Sequence, residues 1–256
     1  MNKSFLTALP VYNEGKHILS VLREVEKYSP EILVVDDGSQ DETAELLAQF
    51  PRIHVCRHAH NQGYGAALRT AFQYGLQQGF EVLVTIDCDG QHQPAMIPRF
   101  VSYAQHVDIV SGSRYLTPPA QGQMAPEQRR LINSEITEIL NHKLQLKLTD
   151  AFCGFKAYRK EALAGFDITE QGYGMPLQLW IQASRAHLKI QEVPVPLIYL
   201  DASRSFGGTL DSATDRLHYY KQVIQKELHP RCIQHLLSQR VPSRSNGLST
   251  YLLFVI

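Results

Sequence analysis

The sequence predicts an α/β fold: a mainly parallel sheet with helices on both faces. Three observations carry that expectation. Short apolar runs alternate with amphipathic stretches through the first half of the chain, the signature of successive βα units. One of these runs, Ile32 to Asp36 (ILVVD), is apolar up to its final residue, as in a strand covered on both faces. The chain has 256 residues, 44% of them hydrophobic, enough for one sizeable core or a core with a small appendage.

The elements follow in order. Phe5 to Pro10 reads as the first strand. Gly15 to Ser29 is a helix with Ile18, Leu19, Leu22 and Val25 at helical spacing. Ile32 to Asp36 is the second strand, and Ser39 with Glu42 forms a capping-box pattern opening the next helix. Ile53 to Cys56 is the third strand, Gly65 to Gln78 a helix and Val82 to Ile86 the fourth strand. Pro94 suits the first turn of a helix holding Met96, Ile97, Phe100 and Val101. Asp108 to Ser111 is the fifth strand. After Arg114 the texture changes. Thr117 to Pro126, rich in Pro, Gly and Gln, reads as a loop. Leu131 to Leu148 is helical, and Ala151 to Tyr158 irregular or extended. Pro176 to Ala186 is a short helix containing the only tryptophan, Trp180. Ile190 to Tyr199 is extended, and Pro194 and Pro196 place it at a sheet edge. Asp211 to Glu227 is a polar helix. Pro242 to Ile256 begins Ser-rich and ends in an apolar stub.

The 25 basic and 25 acidic residues balance, which excludes a bulk nucleic-acid binder, whose footprint is a basic excess. None of the four cysteines, Cys56, Cys88, Cys153 and Cys232, forms a CxxC pair, so a reduced, intracellular protein is the simplest expectation. The N-terminus lacks the pattern of a signal peptide. No window reaches the roughly 18 consecutive apolar residues of a membrane span. The expectation is a cytoplasmic protein that meets a membrane, if it does so, peripherally at the cytoplasmic face or through a membrane partner.

The acids are the first chemical signal. Open α/β sheets bind ligands at the carboxyl ends of their strands. Asp36 and Asp37 end the second strand, and Asp87 and Asp89 end the fourth, so both pairs face one crevice. Gly90 permits a sharp turn that brings Asp87 and Asp89 toward one cation. Hard carboxylate oxygens suit Mg²⁺ or Mn²⁺ bridging to substrate phosphates, and Gln91 and His92 lie close enough to join them. Alone, such acids often cap turns. Here they follow VLVTI and lead into GQHQP. Ser39 supplies the cap after the second strand, leaving Asp37 to bind a base or ribose. Asn61 to Gly65 (NQGYG) lacks the lysine of a P-loop and the GxGxxG spacing. It instead lets the chain pass close to a nucleotide at a helix N-terminus, with Gly65 at the approach. His58 and His60 read as surface histidines, and Cys88 as a buried small residue.

LPVYNE, VVDDGSQDET, NQGYGAALRTAF, TIDCDGQHQP, SGSRY and TDAFCGFKAYRKEAL occur in that order. This set resembles family 2 glycosyltransferases with the GT-A fold, a Rossmann-like nucleotide-diphospho-sugar transferase fold. Within them it is most similar to the polyprenyl- and dolichyl-phosphate sugar synthases, the dolichyl-phosphate mannose synthases among them. The match runs from about Leu6 to Gly208. It implies a GT-A domain over 1–208, a helical extension over 209–241 and a tail of unknown role over 242–256. It implies that Pro10, Tyr12 and Glu14 line the base and ribose site, with Asp37 beside them. Asp87, Asp89 and Gln91 would hold a divalent metal against the donor diphosphate. Arg114, with Arg129 or Arg130, would meet an acceptor phosphate. Asp150 lies near the place where inverting relatives carry an acid.

The implied activity is transfer of a hexose, mannose or glucose, from a nucleotide-diphosphate sugar to a polyprenyl phosphate. An anionic phosphate acceptor needs no strong base, and positioning arginines become central. A hydroxyl acceptor on a polysaccharide or lipid needs a base, for which Asp150 is the candidate. Arg204 also belongs to the expected phosphate contacts, but it is followed by SFGG where the family pattern has Gly and then Ser-Lys. A nucleotidyltransferase would carry a Gly-rich, Lys/Arg-containing loop where this chain has PVYNEG. A non-catalytic relative would be expected to have lost a metal carboxylate, and DCDGQ is intact.

Overall fold

A computed structural model describes residues 3–118, 125–199, 205 and 207–229. Arg204, Cys232, the tail over 242–256 and most of the Pro/Gly/Gln-rich loop lie outside the described residues.

Seven strands form one sheet in the order β3-β2-β1-β4-β6-β5-β7. They are β1 (Lys3–Val11), β2 (Ile32–Asp36), β3 (His54–Arg57), β4 (Phe80–Thr85), β5 (Ile109–Ser113), β6 (Lys156–Arg159) and β7 (Ile190–Pro194). All pairings are parallel except those of β6, which runs antiparallel between β4 and β5. The mainly parallel α/β architecture is as expected, and the proline-interrupted β7 lies at an edge.

The helices are α1 (Ile18–Val25), α2 (Thr43–Leu47), α3 (Tyr64–Gln77), α4 (Ile97–Tyr103), α5 (Glu127–Leu144), α6 (Lys160–Ala164), α7 (Met175–Arg185) and α8 (Ala213–Leu228). Alternate residues of each strand feed opposite faces of the sheet. Leu6, Ala8, Leu33 and Val35 join one core with residues of α3, α5, α7 and α8. Leu9, Val11, Ile32 and Val34 join another with α1 and α4. Trp180 of α7 is fully buried in the first core. Its indole N–H donates to the Ala151 carbonyl at 2.9 Å, so burial leaves no polar atom unsatisfied. Within the expected extension, α8 buries Tyr220, Val223 and Ile224 in that same core.

One local expectation is corrected. Ser39 does not cap α2, which begins at Thr43. The Ser39 hydroxyl accepts from Asn13 N at 2.9 Å, tying the loop after β1 to the loop after β2. Thr43 N instead donates to Asp41 Oδ1 at 3.1 Å, the short-range Asx bond that competes with a more distant cap.

The antiparallel β6 matters most for the site. Because it runs against β4, the residues that precede it arrive at the carboxyl end of the sheet. Thr85 pairs with Lys156, and the Thr85 hydroxyl donates to Gly154 O at 2.8 Å. Buried Lys156 supports this approach from below, donating to the Cys153 carbonyl and packing on the Trp180 ring at 5.3 Å. Among the described residues, no helix is long and apolar enough to cross a membrane.

Candidate active site

A cavity of about 600 Å³ opens at the carboxyl ends of β1, β2 and β4. Its lining includes the acids Glu14, Asp37, Asp87 and Asp89 and the arginines Arg114, Arg129 and Arg216. The two aspartate pairs therefore converge on one crevice, though only Asp37 of the first pair reaches it. Asp36 is fully buried, accepting from Ser39 N at 2.9 Å and facing Arg57 Nε at 3.2 Å.

Pro10, Tyr12 and Glu14 follow one another along the end of β1 and its loop, and all three line the cavity. Asp37 lines it too, but its oxygens are already engaged. They accept from Gln62 N at 2.9 Å and Gly63 N at 2.7 Å, and meet His58 Nδ1 at 2.6 Å. His58 in turn meets Thr70 Oγ1 at 2.9 Å. Asp37 thus shapes the 61–63 turn while also lining the cavity, and a carboxylate with three contacts keeps acceptor capacity for a ligand. His58 is no surface histidine, its side chain being 11% exposed. Gly65 is also corrected. It does not line the cavity: a methyl group there would collide with the Glu170 carbonyl and lie 2.8 Å from Met175 Cβ. Its smallness lets α3 pack against the 170–175 segment. A residue needing glycine at the cavity itself is Gly63, at φ +104°.

Asp87 is held on both oxygens. Oδ1 accepts from the Tyr64 hydroxyl at 3.1 Å, and Oδ2 lies 3.1 Å from His92 Nε2. Burial, then the Asp87 charge, pushes the Tyr64 phenol well above its ordinary range, so it remains a hydrogen-bond donor. Gly90 turns the chain at φ +74°, and Asp89 Oδ1 accepts from Gln91 N at 3.0 Å. Asp87, Asp89 and Gln91 all line the cavity. Among the described residues no three acidic, histidine or cysteine side chains are grouped as a ready cation cage. Two carboxylates on a cavity wall nevertheless fit a Mg²⁺- or Mn²⁺-type ion, which binds through one or two carboxylates and keeps positions for substrate phosphates.

Gly154 was not among the expected residues, yet it sets where Asp87 sits. A methyl group there would collide with Asp87 Oδ2 and lie 2.6 Å from its Cγ and Oδ1. The Asp87 side chain is short and held by Tyr64 and His92, so it has little room to yield. Gly154→Ala is expected to leave a folded protein and cut kcat/KM by about a hundredfold, the scale of a displaced catalytic group. Steady-state kinetics beside a circular dichroism melt check this.

Arg114 and Asp150 form a bidentate pair. Nε donates to Oδ2 at 2.7 Å and Nη2 to Oδ1 at 2.9 Å. Asp150 also accepts from Asn133 Nδ2 at 2.9 Å and Phe152 N at 3.1 Å. It is fully buried and absent from the cavity wall, whereas Arg114 lines it. Burial acts to raise the Asp150 carboxyl, but the Arg114 charge and hydrogen bonds override it and hold the group well below the usual carboxylate range. Asp150 thus lies off the cavity wall as the buried partner of Arg114, in an arrangement that does not present it to a substrate as a base. Its evident work is to fix Arg114.

The paired arginines separate. Arg129 lines the cavity and donates to the Tyr199 hydroxyl at 2.7 Å. Arg130 is not on the wall, and its Nε is buried without a partner. The cation that sequence reasoning missed is Arg216, in the first turns of α8. It is 4% exposed and lines the cavity. Its spacing to Tyr220, Val223, Ile224 and Glu227, the other buried residues of α8, is the helical periodicity that puts Arg216 on the buried face. Reading the helix as simply polar hid that.

The open sheet, the DxD turn after β4 and the cavity lined by acids and arginines define a glycosyltransferase of the GT-A class. The chain belongs to glycosyl transferase family 2, whose sequence model matches residues 7–166. It is 33% identical over 219 residues to an undecaprenyl-phosphate mannosyltransferase of Micrococcus luteus, covering 81% of this chain and 90% of that one. It is 32% identical over 221 residues to a polyprenol monophosphomannose synthase of Mycolicibacterium smegmatis, covering 81% and 83%. Among solved structures, the fold is similar to glucosyl-3-phosphoglycerate synthase of Mycobacterium tuberculosis in complex with Mn²⁺, UDP and glucosyl-3-phosphoglycerate. The TM-score is 0.66 at 19% identity, over 98% of this chain and 85% of that one.

Proposed function

We propose that this glycosyltransferase moves a hexose, mannose or glucose, from a nucleoside-diphosphate sugar to a polyprenyl phosphate. The observation that carries this reading is the cavity itself. Its lining combines carboxylates, arginines and apolar side chains including Ile132, Phe152 and Tyr220. That suits an acceptor with an anionic head and an apolar chain. The polyprenyl-phosphate substrates in the relatives' names support the same acceptor.

In this reading the bond between the anomeric carbon and the donor diphosphate breaks, and one forms to an acceptor phosphate oxygen. That oxygen is already anionic, so no proton has to be removed, in keeping with the absence of Asp150 from the cavity wall. Pro10, Tyr12 and Glu14 form the nucleotide wall, and Asp37 holds the turn beside it. Asp87 and Asp89, with Gln91, would hold Mg²⁺ or Mn²⁺, which when bound stabilises the departing diphosphate as a Lewis acid. Arg114 and Arg129 orient the acceptor phosphate through charge-assisted hydrogen bonds. A lipid acceptor and a water-borne donor meet at a membrane surface, so the protein acts peripherally, at the cytoplasmic face.

Arg114→Ala is expected to raise the KM for acceptor about tenfold or more while changing donor KM little, the worth of one charge-assisted bond. A collapse of donor affinity alone would place Arg114 on the other substrate. The function is tested by incubating the protein with radiolabelled nucleotide sugars, Mg²⁺ and polyprenyl phosphate. Label is expected in the organic phase only when all components are present. Label that stays in water with every common donor contradicts the proposal.

A further inference from the structure

We propose that Tyr64 and His92 are positioning residues that aim the Asp87 carboxylate at the divalent cation. This rests on the metal reading of Asp87 and Asp89 above and extends it to two side chains that act through Asp87.

Three observations carry it. First, Asp87 has a partner on each oxygen. The Tyr64 hydroxyl donates to Oδ1 at 3.1 Å, and His92 Nε2 lies 3.1 Å from Oδ2. An ionised carboxylate only accepts, so the His92 nitrogen facing it carries the proton. Two donors arriving from different elements, the start of α3 and the loop after Gly90, fix the plane of the carboxylate. The Asp87 side chain is still 28% exposed and on the cavity wall, so the pinned group keeps acceptor capacity toward a cation.

Second, His92 sits there at a cost. Its side chain is 5% exposed, and its Nδ1 is buried with no hydrogen-bond partner among the described residues. An orphaned buried polar atom costs about 1–3 kcal/mol. An apolar side chain of similar size would fill the place without that penalty. What histidine adds is the Nε2–H on Asp87. With one nitrogen on Asp87 and the other buried, His92 acts through Asp87 and not as a metal ligand of its own.

Third, both donors are themselves locked. The His92 ring tilts against Phe155 at 5.5 Å, and Phe155 stacks on Phe100 at 4.1 Å in the core. The Tyr64 ring stacks on Tyr173 at 5.7 Å. Tyr64 opens α3 directly after Gly63, whose amide donates to Asp37. One turn therefore ties Asp37, beside the nucleotide wall, to the carboxylate that would face the metal. Partners that orient a metal ligand in this way set metal affinity or activity by about 10–100-fold.

The test uses Mn²⁺ itself, followed by electron paramagnetic resonance of the free ion. Protein is titrated with UDP, GDP, ADP, CDP and dTDP in turn, and variants are compared with the nucleotide that gives the tightest wild-type binding. Tyr64→Phe keeps the ring and deletes the hydroxyl. His92→Leu keeps apolar bulk and deletes both nitrogens. Each is expected to raise the Mn²⁺ Kd about tenfold or more, and His92→Gln, whose amide can still donate to Asp87, to recover part of the loss. Without metal, Tyr64→Phe and His92→Leu are expected to melt no more than about 2 °C below the wild type, since His92→Leu also removes the orphaned nitrogen. A wild-type Mn²⁺ Kd in both variants overturns the proposal. So does a weakened Kd accompanied in both by a melting temperature lowered by more than about 5 °C, the mark of a packing role. Should His92→Leu not fold, Tyr64→Phe, which deletes one oxygen, decides alone on the same criteria. Asp89→Ala separates this proposal from the reading it rests on. If the wild type binds Mn²⁺ no better than Asp89→Ala, the metal reading and this proposal fall together. If the wild type binds more tightly than Asp89→Ala, and Tyr64→Phe and His92→Leu match the wild type, only the positioning proposal fails.

Discussion

Asp89→Ala is expected to abolish turnover while the protein remains folded. Asp89 is half-buried at the cavity wall and bonds the amide of Gln91 two residues on, so its loss costs a local turn contact and no core packing. Substitutions of this kind stay within about 0.5 kcal/mol of the wild type, a shift of about 2 °C in melting temperature. Its proposed work is in the reaction. Losing one of two carboxylates that would hold the cation removes several kcal/mol of charge stabilisation at the departing diphosphate, so kcat/KM falls by about a thousandfold or more. Kinetics and a thermal melt on one preparation check both halves. Full activity of the variant, or of the wild type in excess chelator, contradicts the metal assignment.

Asp150→Ala is expected to have the largest effect on stability, with folding weakened by about 3–5 kcal/mol. Removing one partner of a buried, hydrogen-bonded pair leaves the other charge uncompensated, here Arg114, whose Nε and Nη2 both end on Asp150. Asn133 Nδ2 and Phe152 N lose their acceptor as well. The pH dependence has a definite sign. The folded carboxyl titrates below its ordinary value because Arg114 outweighs burial. The pair therefore contributes its full stability above the unfolded aspartate pKa of about 3.9 and loses it as pH falls through the lower folded value. Chemical denaturation should show a constant gap between wild type and variant from about pH 5 to 8, narrowing in acid. A gap that instead shrinks as pH rises from about 5 to 7 would mean a raised Asp150 carboxyl, and would favour it as a base.

Those two aspartates mark how far the sequence could be read. Asp89 was legible because the βα alternation places strand ends, and strand ends place the acids. The period-2 and 3.6-residue patterns are local, and so the sheet's parallel half, α3 and the edge strand β7 emerged from them. Long-range pairing left no such trace. Asp150 meets Arg114 across 36 residues, because antiparallel β6 delivers the 150–154 segment beside β5. The segment was read as irregular or strand, and its direction was not readable. Asp37 was identified as a site residue, but its engagement with His58 and the 61–63 amides depends on a loop folded back over 21 to 26 residues. Gly65 is a glycine because of close approach, but the neighbour is the 170–175 segment and not a nucleotide. Arg216 was legible in principle from the buried stripe of α8 and was passed over because the helix is mostly polar.

The central claim is that the acceptor oxygen arrives already charged, so arginines position it and no base is required. The most direct measurement offers both acceptors in one tube: a polyprenyl phosphate and the corresponding polyprenol, at equal concentration, with nucleotide sugar and Mg²⁺. Mass spectrometry then identifies the product. On the proposed mechanism the product is hexosyl phosphoryl polyprenol with no hexosyl polyprenol. A neutral hexosyl polyprenol as the main product would contradict it.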